Sequence, residues 1–163
     1  MDASRIVDFI EIPNFVDQEY CQKLIDSVKL SEKIWRGDRR EIMETDIDSF
    51  LISPVHDLMN KLFINKHLKI KKADRIQRSA NGFGLDTHSD SEGLSSIIYG
   101  LILYLNNDYT GGYLVYPSIP EAVKPEPGKL VIHRGDIPHF VSMFNNDGER
   151  YFISAFIVEE MGV

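Results

Sequence analysis

The sequence predicts a mainly β protein of the α+β kind, with a helical N-terminal third packed on a β-rich remainder built as a sandwich, jelly roll or barrel. Three observations carry that prediction. Before Lys66, the apolar residues of two segments recur at helical spacing. After Lys66, short apolar runs alternate with turn signals. The 163 residues, 43% hydrophobic and 26% charged, suffice for one self-supporting core and not for two.

The elements follow in order. Arg5 to Pro13 alternates and is rich in Val, Ile and Phe, as a strand is, and Pro13-Asn14 ends it. Asp17 is placed to cap a helix whose apolar face holds Tyr20, Cys21, Leu24, Ile25 and Val28. Glu32 to Ser49 is polar and dense in charge, and reads as a long loop or irregular strand. A second helix is expected to be capped by Ser53, with Pro54 in its first turn and Val55, Leu58, Met59, Leu62 and Phe63 on one face.

Strands are then predicted over Leu68–Ile76, Ile97–Leu105, Tyr113–Tyr116, Lys129–His133, Phe140–Phe144 and Tyr151–Val158. The breaks hold Asn81-Gly82, Asn106-Asn107-Asp108, Gly111-Gly112, Pro125–Gly128, Arg134-Gly135-Asp136 and Asn146-Asp147-Gly148. Four of the seven prolines fall in Pro117–Gly128, a stiff connection within one domain.

Composition excludes several classes. With 25 acidic against 18 basic side chains the net charge is −7, which leaves no basic footprint for nucleic acid or an anionic membrane. One cysteine, Cys21, permits neither an internal disulfide nor a cysteine-rich zinc site. Met1 to Ile10 lacks the pattern of a signal peptide. No apolar stretch reaches the roughly 18–20 residues of a bilayer span. A soluble cytoplasmic protein is expected, and a monomer is compatible with it.

Three features carry chemistry. Thr87-His88-Ser89-Asp90 sets an imidazole and a carboxylate two residues apart, which in a strand means the same face. His139 follows Pro138 and opens another apolar strand. Two histidines and one carboxylate from different strands can occupy one face of an octahedral metal, leaving positions open for a co-substrate and O₂, as non-haem Fe(II) requires. Arg150, 11 residues after His139, begins a strand that runs inward, so its charge calls for an anion, and a guanidinium holds a carboxylate through two parallel hydrogen bonds. The plain alternatives are polar residues at strand ends and a surface arginine. His56, His67 and His133 have no carboxylate at ligand spacing and read as structural or solvent-exposed. Cys21 reads as a packing residue.

The ordered set His88-x-Asp90, Tyr104-Leu105-Asn106, Gly111-Gly112-Tyr113-Leu114-Val115-Tyr116-Pro117, Pro125-x-x-Gly128-x-Leu130-Val131, His139-x-Val141 and Gly148-x-Arg150-Tyr151 resembles the Fe(II)/2-oxoglutarate-dependent dioxygenases, and more narrowly their prolyl-hydroxylase-type branch. The resemblance runs from about Ile76 to Val158. It implies a double-stranded β-helix (jelly roll) with supporting N-terminal helices. In one domain over 1–163, residues 1–66 would give helical support and a candidate flap, and 67–163 the jelly-roll core. It implies His88, Asp90 and His139 as iron ligands. It implies Arg150 and Tyr104 on the distal carboxylate of 2-oxoglutarate, and Leu114 and Val141 lining that pocket. Fe(II), 2-oxoglutarate and O₂ are the implied cofactor and co-substrates, with ascorbate as a support.

The sequence departs from the pattern in places. Arg78 and Ser79 stand where the branch often has a tyrosine, and Phe156 stands where several members have tryptophan. Asp90 is a carboxylate and not the Ala or Gly of related halogenases, which favours hydroxylation. Phe156 also replaces the second arginine of the nucleic-acid demethylases. The expected reaction hydroxylates an unactivated C–H bond, first of a prolyl residue in a peptide or protein, with release of succinate and CO₂. The alternatives are hydroxylation of a free amino acid or small molecule, or a non-catalytic 2-oxoglutarate- or iron-binding module. Trp35–Ser49, with Trp35, Arg36, Arg39, Arg40 and Met43, is either a flap over the substrate or a solvated loop.

Overall fold

Asp17 starts the first helix as its sequence demands. In the computed structural model its Oδ1 accepts a 2.7 Å hydrogen bond from the Tyr20 N–H, one of the donors a helix start leaves unpaired. The structure describes residues 8–30, 40–42, 49–62, 67–73, 75–79, 84–145 and 148–160. Strand β1 (Phe9–Ile12) leads into α1 (Gln18–Leu30), followed by β2 (Arg40–Ile42) and α2 (Ser49–Leu62). Next come β3 (Leu68–Lys71), β4 (Gln77–Ser79), β5 (Leu85–His88), the single turn α3 (Asp90–Gly93) and β6 (Ile97–Tyr104). The chain closes with β7 (Thr110–Gly111), β8 (Leu114–Val115), β9 (Leu130–Arg134), β10 (His139–Val141), β11 (Phe144–Asn145) and β12 (Arg150–Glu159).

The strands form a seven-stranded sheet in the order β1-β9-β6-β12-β4-β2, with β3 also paired to β12, and smaller sheets β5-β10-β8 and β11-β7. All pairs are antiparallel. This is a jelly roll, as expected of the sequence, in which the large sheet faces the smaller ones and no closed barrel forms.

Alternation along the central strands separates two cores. Leu101 and Leu103 of β6, Leu130 and Ile132 of β9, and Tyr151, Ile153, Ala155 and Ile157 of β12 pack against Cys21, Leu24, Ile25 and Val28 of α1 and Val55 and Met59 of α2. The residues between them face the smaller sheet: Ile102, Tyr104, Val131 and Phe152 pack with Leu114, Tyr116 and Val141. Burial pushes the Cys21 thiol up to about 11, so it stays an inert packing residue.

Several expectations need correction. Helix α2 begins at Ser49 and carries Pro54 in its interior. A proline near the start gives up one hydrogen bond to the carbonyl four residues back, which a packed helix can tolerate. Leu58, on the expected apolar face, is exposed, and Phe63 lies outside the described residues. The short strand β4 was not predicted, and β5 was anticipated only as the strand that carries His88. The strands β1 and β2 of the N-terminal third are members of the large sheet. Of the candidate flap, Trp35, Arg36, Arg39 and Met43 lie outside the described residues, and the backbone of Arg40 belongs to β2. No helix among the described residues is long and apolar enough to cross a membrane.

Because α1 buries its apolar face on the sheet, Leu24→Ala should cost about 2–5 kcal/mol of unfolding free energy. Urea titration checks this. A change under about 1 kcal/mol would mean that the helix is not part of the core.

Candidate active site

Strand pairing brings the two distant histidines together. His139 at the start of β10 lies opposite His88 at the end of β5, and their ring centroids are 4.4 Å apart. Asp90 is not on the strand with His88, as the sequence suggested, but is the first residue of α3. The i, i+2 relation survives because Ser89 between them is extended, with φ −118° and ψ 146°. Asp90 Oδ1 lies 3.7 Å from His88 Nε2 and 3.8 Å from His139 Nε2, and one ligand atom from each of the three groups falls within 4.8 Å of the others.

The protonation states suit a metal. His88 Nδ1 donates to the Asp86 carbonyl at 2.8 Å, and His139 Nδ1 donates to the Ile137 carbonyl at 3.0 Å. A carbonyl only accepts, so each Nδ1 carries the proton and each Nε2 lone pair is available. Burial, with the charge of His133 and His88 acting in the same direction, lowers the His139 pKa to about 4, so its ring is neutral at physiological pH. Burial alone would raise the Asp90 pKa. The hydrogen bond from His133 is the largest opposing effect, and the net result is a carboxyl lowered from its ordinary value. Metal bonds of about 2.0–2.2 Å from one ion can bridge gaps such as those on either side of Oδ1. Two imidazoles, each with Nε2 turned towards the site, and one carboxylate fit the three-ligand set of a non-haem Fe(II) oxygenase.

Sequence reasoning missed His133. It is fully buried, its Nε2 lies 2.9 Å from Asp90 Oδ2, and its Nδ1 lies 2.8 Å from the Tyr116 hydroxyl. Spacing along the chain could not reveal this, because β9 meets the site only through its place beside β6 in the large sheet.

The same cavity, about 140 Å³, is lined by His88, Asp90, His133, His139, Val141, Arg150, Phe152 and Ser79, among others. Arg150 begins β12, is 4% exposed, and stacks 3.9 Å over the Phe152 ring. Its Nε and Nη2 have no hydrogen-bond partner among the described residues, and neither have the buried hydroxyls of Tyr104 and Tyr109. Burial raises both tyrosines, while the nearby guanidinium pulls in the opposite direction. Gly112, at φ +66°, supplies the sharp turn beneath this group, and a Cβ there would press on the Tyr109 ring at 3.0 Å. A buried cation with open donors and two open hydroxyls makes a receptor for a carboxylate.

A family model described as the 2OG-Fe(II) oxygenase superfamily matches residues 75–158, just over half of the chain. The chain belongs to the 2OG-Fe(II) oxygenase superfamily. Fe(II), 2-oxoglutarate and O₂ are accordingly the cofactor and co-substrates of this oxygenase. No curated protein matches its sequence.

Solved structures agree on the fold. A 2OG-Fe(II) oxygenase family oxidoreductase from Burkholderia pseudomallei superposes with a TM-score of 0.75 at 12% identity, covering 96% of this chain and 87% of that one. A Pseudomonas putida prolyl-4-hydroxylase gives 0.69 at 16% identity, with 99% and 96% covered. A Trichoplax adhaerens prolyl hydroxylase, in complex with a peptide fragment of the hypoxia inducible factor oxygen degradation domain, gives 0.66 at 19%, with 93% and 84% covered.

The predicted site residues are distributed as follows in the oxygenase. His88, Asp90, His139, Arg150 and Val141 line one cavity. Tyr104 is wholly buried, with its ring 5.8 Å from the Arg150 guanidinium carbon. Leu114, the cross-strand partner of Val141, is packed in the intersheet core. Of the two residues at the departure from the family pattern, Ser79 lies opposite Arg150 and lines the cavity, whereas Arg78 pairs with Glu149 at 2.9 Å.

The neutral His139 ring makes the metal-free oxygenase acid-sensitive. The unfolded chain binds this proton near pH 6.5 and the folded chain only near 4, so stability is complete above about 6.5 and falls as pH drops towards about 4. Asp90 remains charged across that window. The melting temperature of chelated protein should decline between about pH 7 and 5, and His139→Gln should flatten the decline. An unchanged slope in that variant would contradict the buried, neutral ring.

Proposed function

We propose that the oxygenase hydroxylates an unactivated C–H bond of a prolyl residue in a peptide or protein. The observation that supports this most is the sharing of one cavity by the His88, Asp90 and His139 donors and the buried, anion-seeking Arg150. In this reading His88 Nε2, His139 Nε2 and Asp90 Oδ1 hold Fe(II). Bound iron supplies O₂ activation coupled to conversion of 2-oxoglutarate to succinate and CO₂, with one oxygen atom passing to the substrate carbon.

The chain's own residues position and enclose the reactants. Arg150 takes the distal carboxylate of 2-oxoglutarate through its open N–H groups, and the Tyr104 hydroxyl adds a further hydrogen bond. Val141 and Phe152 present apolar surface beside them, which keeps water out of the cavity. Ser79 leaves room beside the guanidinium where a larger side chain would crowd it. The prolyl assignment rests on the ordered resemblance to the prolyl-hydroxylase branch. Leu85, which lines the cavity at 40% exposure, offers apolar surface for a peptide at the rim.

Hydrogen bonds to charged groups are worth about 1.5–3 kcal/mol and neutral ones about 0.5–1.5. Arg150→Ala should therefore raise the KM for 2-oxoglutarate by about tenfold to a hundredfold, and Tyr104→Phe by about tenfold or less. Succinate release across a 2-oxoglutarate titration measures both, and an unchanged KM in Arg150→Ala would remove the anchor assignment.

His139→Ala should abolish succinate formation while the circular dichroism spectrum stays that of the folded chain. Retained turnover would show that the ring is not a ligand. The substrate is tested by supplying Fe(II), ascorbate and 2-oxoglutarate with proline-containing peptides and, separately, free amino acids. A gain of one oxygen on a prolyl residue is expected, and a gain confined to free amino acids would replace the peptide reading with the small-molecule one.

A further inference from the structure

Asp90 has two oxygens, and the structure gives them different partners. Oδ1 faces both His88 Nε2 and His139 Nε2, whereas Oδ2 is engaged by His133 Nε2 at 2.9 Å. The other ring nitrogen of His133 meets the Tyr116 hydroxyl at 2.8 Å. His133 and Tyr116 are both fully buried. The phenol is a neutral donor, because burial raises its pKa far above the physiological range. The Asp90 carboxylate only accepts, so His133 Nε2 carries a proton and donates it to Oδ2, while the Tyr116 hydroxyl fixes the ring from the Nδ1 side.

The backbone makes room for this contact. Gly100 lies directly opposite His133 across β6 and β9. A Cβ at Gly100 would fall 2.2 Å from Asp90 Oδ2 and 2.3 Å from His133 Nε2, so any side chain there would part the pair. The φ of Gly100 is not in the left-handed region, so closeness of approach and not backbone conformation accounts for the glycine.

We propose that His133, oriented by Tyr116, is a positioning residue that holds Oδ2 so that Asp90 offers the metal one oxygen only. The proposal rests on the metal assignment made above. Its consequence is a coordination number. With one donor atom from each of His88, Asp90 and His139, a bound metal would keep positions open for the 2-oxo acid and O₂. A carboxylate free to turn and bind through both oxygens would take one of them. The relay thus fixes the aim of Asp90 and protects the co-substrate's position.

Co(II) titration of the metal-free protein, followed by visible absorption, tests this alongside the 2-oxoglutarate KM and kcat. His133→Phe keeps the ring's bulk without the donor. It should weaken Co(II) binding by about tenfold to a hundredfold, the usual cost of losing an outer-shell partner. It should also raise the 2-oxoglutarate KM more than it lowers kcat, and shift the Co(II) bands towards higher coordination. His133→Gln, whose amide can accept from Tyr116 and donate to Asp90, should restore most of the affinity. Tyr116→Phe should move every readout in the same direction by a smaller factor, and it carries the test if His133→Phe does not fold.

Wild-type affinity and KM in His133→Phe, or in Tyr116→Phe where that variant stands in, would overturn the relay. Equal losses in His133→Phe and His133→Gln would overturn it differently, by making the ring itself a ligand. Wild-type protein that binds no Co(II), or binds it unaffected by His139→Ala, would overturn the underlying metal assignment.

Discussion

The two-residue period of β6, β9 and β12 is the constraint on which the site depends. Each strand divides its side chains between a helix-covered core and the space between the sheets. Leu101, Leu130 and Ile153 go to one side. Gly100, His133, Arg150 and Phe152 go to the other. A shift of one residue in any of these pairings would exchange the two sets. It would bury leucines where the polar residues of the cavity belong and press an arginine against α1. The apolar core therefore does more than stabilise the fold. It sets the register that aims the polar residues.

Arg150 shows the energetic side of this arrangement. Removing an ion from water costs several kcal/mol in a real protein, even after relaxation. Stacking on Phe152 at 3.9 Å returns about 2 kcal/mol or somewhat more, less than the whole of that cost. Among the described residues no carboxylate pairs with it, so the balance remains unfavourable until an anion arrives. The cost is carried by the packing around it, and an anion that supplied the missing partner would be bound all the more firmly. The unpartnered hydroxyls of Tyr104 and Tyr109 are part of the same unfilled demand.

Much of this was legible in the sequence, for definite reasons. Residues close together or bound to a strong pattern were readable: Asp17 as a cap, the α1 face, the His88-x-Asp90 pair, and Arg150 at the mouth of a long apolar strand. His139 was readable because a distant histidine completes a known donor set. What depends on sheet order was not. The part played by His133 follows from β9 lying beside β6, and its orientation from Tyr116, a residue that sequence spacing does not connect to it. Tyr109 gave no signal either, since only the fold brings its hydroxyl towards Arg150. The start of α2 was misplaced because Pro54 reads as a first-turn residue, although tertiary packing supports it deeper in the helix. Asp90 was placed on a strand because an extended Ser89 and a true strand position look alike in sequence.

The most direct test of the account is a crystal structure grown without oxygen in the presence of Fe(II) and 2-oxoglutarate. One metal ion is expected on His88 Nε2, His139 Nε2 and Asp90 Oδ1, with the distal carboxylate of 2-oxoglutarate on the Arg150 guanidinium and the Tyr104 hydroxyl. A metal ion held by other residues, or a 2-oxoglutarate carboxylate bound away from Arg150, would contradict it.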